Sequence, residues 1–160
     1  MIMADILFWI AIALGLMATF IAHWLAAQAL APRVVARSAE AYARRPWASC
    51  VIGVLVGFPL VAILLGVLEK LPHPLLKVIV IAILAVILVI SFLGSAGLAK
   101  RIGAGLPSPL DADRPGRPVL RGGVVLGLIF ISPVLGWFVL MPLVFLSGLG
   151  AWLIGRKIEL

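Results

Sequence analysis

Long apolar stretches separated by short basic links dominate the pattern of this chain. Four of these stretches contain no Asp, Glu, Lys or Arg and cover residues 6–32, 46–68, 78–99 and 122–155. An α-helix rises about 1.5 Å per residue, so roughly 20 apolar residues cross a hydrocarbon core about 30 Å thick. Each stretch is therefore long enough to span a bilayer as a helix. The pattern predicts an all-α integral membrane protein.

The last stretch is too long for one straight span. Its 34 residues would form a helix of about 51 Å, and Pro133 and Gly136 interrupt it. Proline removes a helical N–H and clashes with the preceding turn, while glycine permits a reversal. Either a kinked helix crosses the membrane, or a half-depth helix turns at this break and a second helix returns. The return is favoured because it brings Arg156 and Lys157 to the side that holds most other basic residues.

We predict one transmembrane domain over residues 1–160, a bundle of three full transmembrane helices plus a fourth, Pro/Gly-broken segment that is a kinked span or a re-entrant helix. The predicted parts are spans at about 6–31, 47–68, 75–99 and 120–155, an interfacial helix at about 33–45, and a loop at 100–119. The link at 69–77 is short and proline-kinked, so the second and third spans should form an antiparallel hairpin. The loop is rich in Pro and Gly and is expected to be extended.

The link after the first span has the periodicity of a short amphipathic helix. Its charged stripe consists of Arg33, Arg37, Glu40 and Arg44, and its opposite, apolar stripe of Val35, Ala39 and Tyr42. We predict that the apolar face lies at the headgroup boundary, with Trp24 and Trp47 as aromatic anchors near the same surface. A solvated helical connector is the alternative.

Composition and charge agree with a membrane location. Hydrophobic residues make up 64% and charged residues 12% of the chain, against roughly 45–50% and about 25% in soluble domains. All 13 Lys and Arg residues lie outside the uncharged stretches, where anionic lipid headgroups are the nearest phosphates. The net charge of +7 therefore indicates membrane lipids rather than nucleic acid as partners. The residues predicted to contact lipid or the membrane interface are Arg33, Arg37, Arg44, Arg45, Trp47, Arg101 and Arg121.

The distribution of Lys and Arg predicts an orientation. The links at 32–46 and 100–121 hold four and five of these residues, the link between the second and third spans holds two, and the segment before the first span holds none. We expect the N-terminus outside and both basic links in the cytoplasm. The Ala-rich residues 27–31 resemble a leader cleavage region, but the apolar run is longer than the roughly 7–15 residues of a leader core. The first stretch is therefore expected to be a retained span.

Candidate chemistry within the chain is sparse, and we predict no catalytic, metal-binding or cofactor-binding residues. His23 is expected to bond a backbone carbonyl, and it should lie toward the opposite membrane face from His73, so one haem could not join them. Asp111 and Asp113 could hold a divalent cation, but a solvated charge cluster is the favoured interpretation. Cys50 cannot form an internal disulfide. We expect no enzyme and no cofactor of the chain's own, and leave open a pigment or lipid held together with partner subunits.

Small residues four positions apart let membrane helices approach and pack by van der Waals contact. The pairs in the apolar stretches are Ala11 and Gly15, Gly53 and Gly57, Ser91 and Ser95, and Gly123 and Gly127. The last three pairs are the predicted helix-packing residues. Together the four pairs favour a tight bundle with surfaces suited to membrane partners.

Several segments of the chain carry a resemblance to a known type of protein. They are Pro32-Arg33 with the basic run that follows, Arg45-Pro46-Trp47, the Gly-rich second span, Ile131-Ser-Pro-Val-Leu-Gly-Trp137, and Gly148-Leu-Gly-Ala151. Together they resemble an uncharacterised bacterial polytopic membrane module, the hydrophobic region attached to bactofilin-type polymer-forming proteins. The β-helical polymer-forming domain has no counterpart in this sequence. The resemblance thus implies a bacterial inner (cytoplasmic) membrane location and no known catalytic residues, and does not extend to polymerisation.

These observations lead to one favoured function and one alternative. The favoured function is a noncatalytic accessory or scaffold subunit that packs against other integral membrane proteins or further copies of itself, and against anionic lipids. The alternative is a small channel or lipid-translocating protein in which the break at 133–137 lines a cavity. The polar residues available to such a path are Thr19, His23, Gln28, Ser91, Ser95, Ser132 and Ser147. An enzyme using His23 or the Asp111/Asp113 pair is the least favoured hypothesis.

Overall fold

A computed structural model describes residues 2–106, 108, 114–132 and 134–158, and within them the chain is helical with no strand. The helices are α1 (Ile2–Leu30), α2 (Pro32–Arg44), α3 (Pro46–Lys70), α4 (Pro74–Ala104), α5 (Arg117–Phe130) and α6 (Met141–Gly155), with a π-helical turn (Gly136–Leu140) joined to α6. Within the described residues, α1, α3, α4 and the segment Gly136–Gly155 are long and apolar enough to cross a membrane. The predicted all-α membrane fold is confirmed.

Prolines set the sharp corners between the first helices. Pro32, Pro46 and Pro74 each occupy the first turn of a helix, where a missing N–H costs no hydrogen bond. The residue before a proline is pushed out of the helical region. Ala31 and Arg45 accordingly leave it, with φ of −133° and −144°. One residue is therefore enough to separate α1 from α2 and α2 from α3.

The last apolar stretch folds back on itself as a helical hairpin. α5 runs antiparallel to α1, because Gly116 lies beside Leu25 and Gly127 packs on Met17. α6 runs in the opposite direction to α5 and brings Gly155 beside Arg37 of α2. Both ends of the stretch therefore lie on one side of the bundle, as in the re-entrant alternative. With 14 residues, α5 is about 21 Å long, shorter than the hydrocarbon core.

Gly136 lies where α5 gives way to the returning helix. A Cβ atom there would lie 2.7 Å from the carbonyl oxygen of Phe130 and 2.9 Å from that of Ile129, so only glycine lets the backbone pass this close. None of the described glycines has a positive φ. Gly136 therefore permits the reversal because it lacks a Cβ atom, and not because it adopts an unusual backbone angle. Pro133, the other predicted break residue, lies outside the described residues.

Buried side chains concentrate in one half of the bundle, which we call the packed half. It contains α2, the C-terminal ends of α1 and α4, the first turns of α3, and the α5–α6 hairpin. Phe20 packs against its buried core, with ring centroids 5.8 Å from both Phe130 and Phe145 and 6.4 Å from Phe92. These rings join α1, α4, α5 and α6. α3 and α4 run antiparallel and pack on α6 more than on each other.

The amphipathic helix forms as predicted, but the predicted place of its apolar face is wrong. Val35 and Tyr42 of α2 are buried within the protein and do not face lipid headgroups. The reason is that Gly97 of α4 contacts Ser38 and Gly155 of α6 contacts the Arg37 backbone. Because these glycines have no side chains, α2 lies directly on two neighbouring helices.

Trp24 also departs from its predicted place as an interfacial anchor. Its side chain is 0% exposed, whereas Trp47 is 82% exposed. The indole N–H of Trp24 donates to Ser95 Oγ at 3.0 Å, so its polar atom is satisfied inside the bundle. Because the indole N–H already has an acceptor inside the bundle, burial of this tryptophan leaves no hydrogen bond unmade.

The extended loop predicted at 100–119 is shorter than expected. α4 continues to Ala104 and α5 begins at Arg117. The cause is a close crossing of the two helices, because a Cβ on Gly103 would overlap the carbonyl oxygen of Pro118. Residues that suggested a loop by composition instead allow helix contact. Asp111 and Asp113 lie outside the described residues.

Candidate functional site

The six predicted helix-packing residues lie between helices of this chain. Their neighbours on the facing helix are Leu146 for Gly53 and Gly57, Gly148 for Ser91 and Ser95, Trp24 for Gly123, and Met17 for Gly127. These small residues therefore close the packed half internally. They are not open to a partner protein, so a partner would have to use other surfaces.

A close crossing between α4 and α6 depends on glycines that the four-residue spacing missed. A Cβ on Gly94 would overlap the carbonyl oxygen of Gly148, and a Cβ on Gly148 would overlap that of Ser91. Neither glycine has a small residue four positions away. The signal that could have found them is local clustering, as in Gly94-Ser-Ala-Gly97 and Gly148-Leu-Gly150.

Buried hydroxyl groups tie the helices together beside these crossings. Ser147 Oγ donates to the carbonyl oxygen of Val144 at 2.9 Å, so its single proton is used. Tyr42 Oη, 2.8 Å from Ser147 Oγ, is therefore the donor of that contact. Burial raises the pKa of the Tyr42 phenol above its ordinary value, which keeps the donating proton in place. This bond fastens α2 to α6.

Several of the polar residues proposed for a membrane path bond the backbone of their own helix. His23 Nδ1–H donates to the carbonyl oxygen of Thr19, and Thr19 Oγ1 donates to that of Gly15, both at 2.8 Å on exposed α1. The Ser95 hydroxyl donates within α4, to the carbonyl oxygen of Phe92. Each of these groups satisfies a carbonyl of its own helix. Among the described residues, His, Cys, Asp and Glu form no group of three suited to a metal ion.

The seven predicted interface residues share one end of the packed half, which we call the basic end. Arg33, Arg44, Arg45, Trp47 and Arg101 are exposed there, while Arg37 and Arg121 are half-buried. Arg121 Nη2 donates to the carbonyl oxygen of Gly103 at 3.3 Å. The α5–α6 hairpin adds Arg156 and Lys157 to the same end, since α6 finishes beside α2.

A cavity of about 620 Å³ opens at the basic end, next to the corner between α2 and α3. The corner supplies Arg44 and Arg45, and the segment after α6 supplies Lys157. The remaining lining is apolar and consists of Ile52, Leu153, Ile154 and Ile158. Cationic and apolar groups are therefore presented side by side.

The other half of the bundle, which we call the open half, exposes apolar side chains on α1, α3 and α4. Those more than half exposed include Leu7, Phe8, Trp9, Phe58, Ile63, Leu75, Val78 and Ile79. An apolar groove of about 390 Å³ runs between α3 and α4 over α6, with Val61, Leu84 and Leu149 among its lining residues. Nothing else in the described chain covers these faces.

The remaining small pair, Ala11 and Gly15, lies on the open half. Both residues are exposed, and a Cβ on Gly15 would meet no atom within 4 Å. The other three pairs each face a neighbouring helix of this chain, so this pair differs from them. α1 therefore presents a smooth apolar face to its surroundings.

Comparison of the chain with protein-family models, with curated proteins and with solved structures found no match. The resemblance to the bactofilin-associated module therefore stays a prediction from sequence.

Proposed function

We propose that the chain is a noncatalytic accessory or scaffold subunit of a larger membrane assembly, in which α1 packs against another membrane helix. The observation that carries the proposal is the exposed pair Ala11 and Gly15. Exposed apolar residues alone do not distinguish lipid from protein neighbours, because lipid tails are as apolar as leucine. Small residues four apart are different, since they create a shallow surface onto which a second helix backbone can close.

The proposed setting is a bacterial inner membrane with the basic end in the cytoplasm and the N-terminus outside. The count of positive charges supports this orientation. The hairpin places Arg156 and Lys157 with the arginines of α2, while Lys70 and Lys77 lie near the opposite ends of α3 and α4. The resemblance to the bactofilin-associated module supports the choice of membrane.

The test is to extract the tagged chain from its native membranes in a mild detergent and measure the mass of the particle. We expect a particle that contains the 17.0 kDa chain at fixed stoichiometry with a second membrane protein or with further copies of itself. A lone monomer over the whole range of mild extraction conditions would contradict the proposal.

The channel or lipid-translocating alternative draws on the α5–α6 hairpin, because broken helices line substrate sites in transporters. The hydroxyls of Ser95 and Ser147 weigh against a polar path there, since both donate to carbonyls of their own helices. Ion or lipid flux across liposomes that contain the pure chain would be the signature of this alternative.

A further inference from the structure

The cavity at the corner of α2 and α3 joins two kinds of lining that one ligand class would use together. On one side are the cationic groups of Arg44, Arg45 and Lys157, and on the other are apolar side chains that include Ile52 and Leu153. Its volume of about 620 Å³ falls within the roughly 300–1,000 Å³ of ligand pockets. The ligand that fits both linings is an anionic amphiphile.

The cationic side of the cavity suits a phosphate group. The planar guanidinium fork matches phosphate oxygens in pairs, and lysine adds a mobile point charge. Arg44 Nε donates to Glu40 Oε1 at 2.7 Å within α2, which uses one of its N–H groups and leaves the fork nitrogens. Arg45 and Lys157 are both exposed, so three positive groups face the cavity among its described lining residues.

The apolar side of the cavity suits hydrocarbon. Ile52 belongs to α3 and Leu153 and Ile154 belong to α6, and all three are partly exposed. A soluble anion would leave these side chains in contact with water, whereas an acyl chain would remove them from it. In the placement proposed above both helices enter the membrane at this end, and the exposed Trp47 beside Arg45 is of the type that lies at headgroup level.

We propose that this cavity binds an anionic phospholipid, with the phosphodiester held by Arg44, Arg45 and Lys157 and the first part of an acyl chain on the apolar side. Basic pockets between membrane helices on the cytoplasmic side are a known means of recognising such headgroups. The inference rests on the membrane placement given under the proposed function, and it names a particular site within the lipid contact expected there.

The experiment uses the full chain in a nonionic detergent, with lipid binding followed by native mass spectrometry. The probes are phosphatidylglycerol, phosphatidylcholine with the same acyl chains, and inorganic phosphate. The test variant is R44Q/R45Q/K157Q. The control, R33Q/R101Q/R114Q, removes the same charge from exposed positions that do not line the cavity. A third variant, Ile52→Trp, keeps the charges and fills the apolar side.

Phosphatidylglycerol should bind the test variant on the order of 100-fold more weakly than the wild type, because each basic residue near an anionic lipid contributes about fivefold. The control should lose less than about fivefold of the affinity. Ile52→Trp should weaken the binding of phosphatidylglycerol. It should not change the affinity of the cationic groups for inorganic phosphate. Phosphatidylcholine should bind the wild type and the test variant alike.

Two results would overturn the inference. Equal losses in the test and control variants would show that the net charge of the protein, and not this cavity, attracts the lipid. Saturation of the site by inorganic phosphate alone would show a soluble anion as the ligand. A Tm of the lipid-free test variant equal to that of the wild type excludes unfolding as the cause. The lipid-binding measurement and the mass of the native particle are independent tests. If the cavity does not bind lipid but the particle keeps its mass, only the lipid inference fails and the proposed scaffold function stands.

Discussion

Gly148→Leu is expected to abolish the folded bundle. The backbones of α4 and α6 touch at this residue, where a Cβ would overlap the Ser91 carbonyl oxygen and lie 2.7 Å from the Ser95 nitrogen. The facing atoms are backbone, so they cannot move aside as a flexible side chain would. The helices must separate, which we expect to lower the free energy of unfolding by at least about 3 kcal/mol. Tryptophan fluorescence during thermal unfolding in detergent measures this loss.

The matched control is Gly66→Leu in α3. It makes the same change inside an apolar helix, but a Cβ on Gly66 would meet no atom within 4 Å. Leucine is the better helix former, by up to about 1 kcal/mol in model helices, so this variant should be as stable as the wild type or slightly more stable. Equal thermal midpoints for the two variants would contradict the assigned contact between α4 and α6.

Gly15→Leu is expected to release the chain from its assembly while leaving its own fold intact. A leucine on the exposed face of α1 would hold a partner helix away from the backbone. Overpacking of a close contact commonly costs about 1–3 kcal/mol, which lowers the association constant by roughly 5- to 150-fold. Within the chain the new side chain meets nothing, since Gly15 has open space at its Cβ.

Particle mass after mild extraction measures this release, and the thermal midpoint of the released chain measures its fold. Gly66→Leu again provides the control, because it adds the same side chain to an exposed face of a different helix. Loss of assembly should occur in Gly15→Leu only. Retention of the full particle by Gly15→Leu would exclude this face of α1 as the contact.

The helices could be predicted because hydropathy is a local property of sequence. Uncharged runs of sufficient length identify α1, α3 and α4 directly. For the last stretch the charge rule favours a return over a kinked span, since Arg156 and Lys157 would otherwise lie on the poorly charged side, but hydropathy leaves both forms open. Proline at the starts of α2 and α3 adds the corners, because proline disfavours a helical backbone at the residue before it.

The contacts between helices could not be predicted in the same way. Whether Gly103 belongs to a loop or to a helix crossing depends on Pro118 and Gly122 being brought opposite to it by the fold. Trp24 could equally have been an interfacial anchor, and only the presence of Ser95 within hydrogen-bonding distance makes the interior favourable. Such pairings join residues far apart in sequence, and the hydropathy pattern does not predict them.

Only the cationic side of the cavity at the corner of α2 and α3 could be predicted from the sequence. Arg44 and Arg45 are predicted interface residues because they lie between two apolar stretches. Lys157, Ile52 and Leu153 join them only because α6 returns beside the start of α3. The charge of the site could therefore be anticipated, whereas its apolar side required the three-dimensional arrangement.

The most direct measurement of the central claim is photocrosslinking from α1 in native membranes. A benzophenone amino acid is placed at Ala11 in one variant and, as a control, at Ile63, an exposed residue of α3. The scaffold account predicts a protein adduct of discrete mass from position 11 and lipid adducts from position 63. Lipid adducts alone from both positions would contradict the claim that α1 packs against another membrane helix.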